Sequence, residues 1–143
     1  PVFFEMLPMP LSNIICSIHM YAPGEYTHQG VGDLSYIKTY YARRFDYRDA
    51  GWNRSRLAES MKSVRKFQQK FSVAVWAPGG AGYLDELISI FEEYKWDWTY
   101  HAFREWEGWS LEHEGSPDKI RKAEKDTDRK QVLLKYFKQN KKR

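Results

Sequence analysis

The order of strand-like and helix-like segments restricts the fold of this chain more than any other feature. Three short apolar or alternating segments have the character of β-strands, and amphipathic helical segments separate them. Strands that alternate with helices form parallel sheets with right-handed crossovers, so the sequence predicts an α/β fold. Capping residue types place the helix starts at Asn53 or Ser55 and at Thr127 or Asp128. The predicted elements are strand 13–21, helix 53–67, strand 71–75, helix 82–94, strand 96–103 and helix 127–137.

The third strand leads into a segment that is unusually rich in tryptophan. Its alternation stops after Phe103, and Trp106 and Trp109 follow among charged residues and glycine. The aromatic residues within the strand are as compatible with a buried core as with a surface. Burial is harder to arrange for Trp106 and Trp109, and an exposed indole ring packs well against the C–H face of a sugar. These two residues are therefore predicted to form a carbohydrate platform.

Further candidate residues lie where the predicted strands end. In parallel α/β folds, ligands bind at the carboxyl ends of the strands. His19 and Tyr21 end the first strand, Trp76 follows the second, and Trp106 follows the third. The segment 25–51 is a long polar and aromatic loop, and long loops in compact domains tend to be functional. Together these features predict a polar, aromatic binding site at one end of the sheet.

Several classes of function find no support in the sequence. The 143 residues fit one domain, and no apolar run approaches the roughly 20 residues of a membrane span. The single cysteine, Cys16, excludes an internal disulfide and a Cys-x-x-Cys metal site. The four histidines have no metal-binding spacing, and no phosphate or dinucleotide motif is present. We therefore expect neither a metal, nor a cofactor, nor a membrane partner.

The excess of positive over negative charge lies at the end of the chain. The net charge is +4, yet segment 118–143 alone carries eleven basic against four acidic residues. Such a basic segment raises nucleic-acid binding as an alternative function. Its charges are not interleaved with aromatic residues as a stacking groove requires, so a solvated face on the last helix is the preferred interpretation. We expect no nucleic-acid partner.

Three motifs together resemble the C-terminal part of glycoside hydrolase family 5, of the cellulase or endo-β-1,4-glucanase type. They are HMYAPGEYTHQG from His19, WAPGG from Trp76 and YHAFREWEGWS from Tyr100. The resemblance implies part of a (β/α)8 TIM barrel, with strands six to eight and their helices in residues 1–143 as a single partial domain. It also implies a β-linked oligo- or polysaccharide as ligand and an extracellular or periplasmic location.

The resemblance assigns roles to individual residues. His19 resembles the sixth-strand histidine that reaches the sugar at the cleavage subsite, and Tyr21 the tyrosine that hydrogen-bonds the nucleophilic carboxylate. Trp106 matches the eighth-strand tryptophan that forms the floor of that subsite. In the family the peptide bond after this tryptophan is often cis, so a cis Trp106–Glu107 bond is expected. Trp76 and Trp109 complete the predicted substrate-binding set.

The two catalytic glutamates of the family have no match in this sequence. Retaining hydrolysis needs two carboxyl groups about 5–5.5 Å apart. The segment that would carry the nucleophile is missing between Lys70 and Phe71, so the resemblance implies that residues 71–75 follow the nucleophile and need not form a strand. Four other acids are possible substitutes, but each is more typical of a surface or loop charge. These acids are Glu5, Glu25, Glu105 and Glu107.

Two functions remain open at this point. The first is the C-terminal part of a β-glucan-cleaving glycoside hydrolase, and the second is a non-catalytic carbohydrate-binding fragment with an aromatic platform. Three units of an eight-stranded barrel would leave two open sheet edges and an uncovered apolar face. We therefore also expect the chain to associate with itself or with a complementary barrel fragment.

Overall fold

The computed structural model describes residues 16–28, 46–68, 73–77, 79–116 and 119–140. Within these ranges the chain has an α/β fold, as predicted. The elements are β1 (Cys16–His19), α1 (Gly24–Thr27), α2 (Arg54–Ser60), α3 (Lys62–Gln68), β2 (Val73–Ala77), α4 (Ala81–Tyr94), β3 (Asp97–Tyr100), β4 (His113–Ser116), β5 (Lys119–Lys122) and α5 (Asp128–Phe137).

The central sheet contains three parallel strands in the order β1-β2-β3. His19 lies opposite Trp76, and Trp76 lies opposite Thr99. The carboxyl ends of the three strands therefore lie side by side at one end of the sheet. Of the two interpretations of residues 71–75, the strand is confirmed for residues 73–75, because β2 begins at Val73 and occupies the central position. Within the described ranges, β1 and β3 each pair with one strand only.

Two of the predicted helix starts are confirmed by their caps. The Asn53 side chain accepts a hydrogen bond from the backbone N–H of Arg56 at 3.0 Å, and Thr127 Oγ1 accepts one from Lys130 at 3.2 Å. The first predicted helix is in fact two, because α2 ends at Ser60 and α3 begins at Lys62. Met61 separates them and is itself buried in the core.

Helix α4 supplies more of the core than any other described element, and does so from one apolar face. Its predicted stripe is confirmed, and Trp96 after it is also buried, only 5% exposed and packed against Phe91. Trp98 stacks on Phe137 with the rings 5.5 Å apart and nearly parallel, so it packs between β3 and α5. Tyr100 also packs against the core, so all three strand aromatics serve packing. The buried residues of α4 are Tyr83, Leu84, Leu87, Ile88, Ile90 and Phe91.

The last helix is tied to α4 by a polar contact around Asp85. The Lys135 ammonium lies 2.6 Å from the Asp85 carboxylate, and the Tyr136 hydroxyl donates to the same carboxylate at 2.9 Å. The hydrogen bond from Lys135, more than the one from Tyr136, holds the pKa of Asp85 below its usual value. The basic residues of α5 are thus partly engaged within the fold.

The polar stretch after residue 113 contains an antiparallel hairpin that the sequence pattern did not predict. Strands β4 and β5 pair with Gly115 opposite Ile120, and Arg121 forms an ion pair with Glu114 at 2.9 Å. Most of its described side chains are exposed and charged, so neither face carries the apolar alternation from which strands are recognised.

No helix in the described part of the chain is long and apolar enough to cross a membrane.

Three tyrosines join the loop after β1 to the start of α4. The rings of Tyr26, Tyr47 and Tyr83 lie 5.3–5.4 Å apart in all three pairings. The Tyr83 hydroxyl donates to the Ala22 carbonyl at 2.8 Å, and the Gly80 N–H donates to the Tyr26 hydroxyl at 3.1 Å. Burial of Tyr83 raises the pKa of its hydroxyl, so the group remains a neutral donor at ordinary pH.

The Gly79→Ala substitution should destabilise the fold. Gly79 has a φ of +127°, and an added Cβ would lie 2.6 Å from the Tyr83 ring. We expect the free energy of unfolding in urea to fall by about 2 kcal/mol, from backbone strain and overpacking together. Gly24→Ala is the matched control, because nothing lies within 4 Å of its added Cβ. Equal stabilities of the two variants would contradict this account.

Candidate functional site

Six aromatic or imidazole rings form a continuous row across the carboxyl end of the sheet. Each ring lies within 6.1 Å of a neighbouring ring, measured between centroids, and the row branches at Trp109, which contacts both His101 and Trp106. It connects the loop after β1 to the loop after β3. The parallel topology places these loops side by side. The ring row, as it is called below, consists of His19, Tyr21, His28, Trp109, His101 and Trp106.

Trp109 is the centre of the ring row and is fixed on several sides. Its indole N–H donates to the Thr27 carbonyl at 3.0 Å, and its backbone carbonyl accepts a hydrogen bond from the Tyr100 hydroxyl. Its ring contacts those of His28, His101 and Trp106. The predicted platform residue therefore also holds the two loops together.

Trp106 is oriented by the glycine two residues after it. A Cβ at Gly108 would lie 2.1 Å from the indole ring, so only glycine leaves room for the ring in this position. The ring meets Trp109 edge to face at 5.1 Å and is partly exposed. A cleft of about 70 Å³ separates Trp106 from the β4–β5 hairpin, with room for about two water molecules. A sugar would therefore contact the solvent side of this ring.

Arg129 holds the loop between β3 and β4 from the side of α5. Its guanidinium donates to the Gly108 carbonyl at 2.6 Å and to the His113 carbonyl at 2.8 Å. Burial raises the pKa of Tyr100 to about 12, against the opposing effect of the Arg129 charge and hydrogen bond. One planar cation therefore links the loop, the end of β3 and the last helix.

Polar atoms accompany the rings on both loops. His19 Nδ1 lies 3.3 Å from the Tyr21 hydroxyl, and His101 Nε2 lies 3.2 Å from a carboxylate oxygen of Glu105. Burial, and then the negative charge of Glu105, raise the pKa of Tyr21. The Glu105 carboxylate thus acts electrostatically on a residue of the opposite loop. Such a mixture of ring faces and hydrogen-bonding groups suits a sugar.

A serine and a histidine nearby resemble part of a hydrolase triad but do not form one. Ser110 Oγ lies 2.9 Å from His113 Nδ1, and His113 Nε2 lies 4.0 Å from Glu107. Ser110 is only 1% exposed, and its oxygen accepts a hydrogen bond from the Glu112 N–H. Because a substrate carbonyl cannot reach a buried hydroxyl, this group stabilises the loop and does not attack a substrate.

The predicted site residues fall into three groups. His19, Tyr21, Trp106 and Trp109 come together in the ring row. Trp76 is the fourth residue of β2, and its backbone lies beside that of His19. The third group consists of the possible catalytic acids. Glu25 belongs to α1, and Glu105 and Glu107 follow β3. Glu5 lies outside the described residues, as do Lys70 and Phe71, between which the nucleophile segment is missing.

The sequence interpretation missed His28 and His101 as members of this site, and it considered Glu105 only as a substitute catalytic acid. His101 directly follows β3, which is where a site residue is expected. The cis bond expected after Trp106 is wrong in position. Within the described ranges, the non-proline cis bond joins His101 to Ala102. No group of three or more metal-ligating side chains is assembled among the described residues.

The fold resembles part of a glycoside hydrolase-like fold. The chain is similar to Cel5A of Thermotoga maritima, a family 5 cellulase. The Cel5A structure with mannotriose gives a TM-score of 0.61 at 19% identity, over 74% of this chain and 36% of that one. The structure with cellobiose gives 0.65 at 20% identity, over 91% and 43%. At these identities the likeness concerns the fold alone, and this chain spans less than half of Cel5A. No family model and no curated protein matches the sequence.

Substituting Arg129 should loosen the loop that carries the tryptophans. Arg129→Met would leave two partly buried carbonyls without their donor, so we expect the free energy of unfolding to fall by about 1–3 kcal/mol. The near-ultraviolet circular dichroism of the Trp106–Trp109 pair should weaken as well. Arg129→Lys should restore part of the loss, because an ammonium cannot reproduce the fork.

Arg104→Met is the control for this experiment. Arg104 belongs to the same loop, but its ion pair with Glu112 lies on the surface. Exposed ion pairs contribute little to stability, so this variant should be close to the wild type. A control as destabilised as Arg129→Met would show that loss of any cation from this region has the same effect.

Proposed function

We propose that this chain is the sugar-binding C-terminal part of a β-glucan-cleaving glycoside hydrolase, equivalent to strands six to eight of a TIM barrel. The ring row at the carboxyl end of the parallel sheet is the observation that carries the proposal. Ligands of such folds bind at this end of the sheet. The likeness to part of Cel5A, solved with mannotriose and with cellobiose, supports the fold on which the proposal rests.

In this proposal the rings bind the faces of sugar units and the polar atoms bind their edges. Trp106 is the floor of the subsite, and Trp109 supports it from below while contributing ring surface. His19 and Tyr21 contact the sugar from the opposite loop. Trp76, at the end of the central strand, completes the set. A β-linked chain of several units would lie along the ring row and would cross the ends of β1 and β3.

The chemistry of bond cleavage requires carboxylates other than those seen around the ring row. A general acid needs a pKa raised by burial or by a neighbouring negative charge. The side chains of Glu105 and Glu107 are 64% and 66% exposed, and each lies beside a histidine. We propose that these two residues are not the catalytic pair. Hydrolysis would then depend on groups outside the described residues.

A non-catalytic carbohydrate-binding protein is the second candidate. The observation that favours it is the sequence of the central strand, which ends in Trp76 and Ala77 without a carboxylate. Incubating the protein with cellopentaose tests whether this chain hydrolyses a glucan by itself. Release of shorter oligosaccharides would establish hydrolysis and exclude the second candidate, whereas binding without release would limit the role of this chain to sugar binding. Affinity for nucleic acid that falls steeply with salt would instead support a function of the basic segment.

Replacing Trp106 should test the platform directly. Trp106→Ala removes the proposed stacking surface, so we expect binding of cellotetraose to weaken by about 1–3 kcal/mol in isothermal titration calorimetry. Phe103→Ala is the matched control, because Phe103 is an aromatic residue of the same loop, is 49% exposed and lies outside the ring row. An unchanged affinity in Trp106→Ala would assign that ring to loop packing.

The sheet edges lead to a separate prediction about association. Within the described residues, the outer edges of β1 and β3 are not paired with another strand, and such edges readily add strands from another chain. We propose that the chain associates with itself or with a complementary barrel fragment. Sedimentation at micromolar concentration should therefore show species larger than a monomer. A single monomeric boundary over that range would refute this proposal.

A further inference from the structure

We propose that the Glu105 carboxylate, held against the His101 imidazole, recognises two adjacent hydroxyl groups of a sugar ring bound at the ring row. This inference rests on the proposed carbohydrate function and assigns the polar specificity of the same site. It gives Glu105 a role in binding, with no covalent step.

The geometry leaves the carboxylate oriented but accessible. One oxygen of Glu105 lies 3.2 Å from His101 Nε2, and the Glu105 side chain is 64% exposed, whereas that of His101 is 21% exposed. A carboxylate has two oxygens and about four acceptor positions. One contact with an imidazole therefore leaves acceptor capacity for ligand donors. Hydroxyl groups on neighbouring ring carbons present two donors at a spacing that one carboxylate can accept.

The position of Glu105 places this capacity within the site. His101 packs on Trp109, the centre of the ring row, at 5.5 Å. The Glu105 charge also contributes to the raised pKa of Tyr21, which belongs to the loop after β1. Glu105 thus lies beside His101, and its charge acts on Tyr21 of the opposite loop. A sugar that rests on these rings would bring its edge towards this carboxylate.

The neighbouring acids of the loop are differently engaged. Glu107 has the same charge and similar exposure, but its contact is His113 at 4.0 Å, and it lines the small cleft beside the hairpin. Glu112 forms a two-point ion pair with Arg104, with distances of 2.8 and 3.0 Å. Glu107 is therefore a matched control two residues away. It has the same side chain as Glu105, but this side chain lies beside a different histidine and lines a different cleft.

The first experiment measures cellotetraose binding to the full chain by isothermal titration calorimetry. Glu105→Ala should raise Kd by about tenfold or more, because hydrogen bonds to a charged acceptor are the strong ones. Glu105→Gln should raise it by about threefold to tenfold, because an amide retains one acceptor oxygen. Glu107→Gln should remain within about twofold of wild type. Thermal unfolding of each variant confirms that this exposed substitution leaves the fold intact.

The second experiment identifies the hydroxyl groups with cellotetraose analogues that each lack one hydroxyl. In the wild type, losing either of two adjacent hydroxyls should cost about tenfold in affinity. In Glu105→Ala the same two losses should cost less than about twofold, while losses elsewhere cost the same in both proteins. This non-additivity is the signature of direct recognition, and a general disturbance of the loop would not produce it.

The outcomes distinguish this inference from the function on which it rests. A wild type that binds no cello-oligosaccharide would overturn the proposed function and this inference together. A wild type that binds, with Glu105→Ala within about twofold of it, would overturn the inference alone. The inference would also fail if every missing hydroxyl had the same cost in both proteins, or if Glu107→Gln weakened binding as much as Glu105→Gln.

Discussion

The hydrogen bond from the Trp109 indole to the Thr27 carbonyl is the contact on which the candidate site depends. It joins segments 82 positions apart in the chain, the loop after β1 and the loop after β3. Each loop is anchored in turn to a helix, the first to α4 through Tyr83 and the second to α5 through Arg129. The positions of the rings therefore depend on the helices as much as on the sheet, because α4 and α5 hold the two loops that carry them.

Much of the fold could be predicted from local pattern because its elements are periodic. The stripe on α4 and the caps at Asn53 and Thr127 are local signals, and the structure confirms them. Elements without an apolar period escaped prediction, as the charged β4–β5 hairpin shows. The interruption at Met61 also escaped, because a buried apolar residue continues the helical pattern across the break. The apolar run of residues 71–75 is itself a strand signal, whereas the family resemblance left the strand open, and the structure confirms it from Val73 onwards.

The candidate site was partly predictable because parallel topology alone brings strand ends to one edge. That rule placed His19, Tyr21 and the tryptophans together, but it contains no information about side-chain contacts between distant loops. His28 belongs to the site through such a contact with Trp109, and Trp109 is anchored by another. Glu105 enters the site through a local contact with His101, four residues before it. The cis bond was expected after the wrong residue, because matching a tryptophan by type does not fix its distance from the strand end. Residue types thus suggested the ligand class, and tertiary packing determines the arrangement.

The two carbonyls that Arg129 binds give the last helix a role beyond covering the sheet. Because Gly108 and His113 flank the end of the tryptophan loop, the Arg129 guanidinium joins this loop to α5, and the Thr127 hydroxyl at the start of the helix adds a hydrogen bond to the Leu111 carbonyl. Opening of the helix would release the loop at the same moment, so the two segments should behave as one cooperative unit in amide hydrogen exchange. The arrangement of the ring row is in this sense a property of α5, and changes in the stability of this helix would be transmitted to the rings.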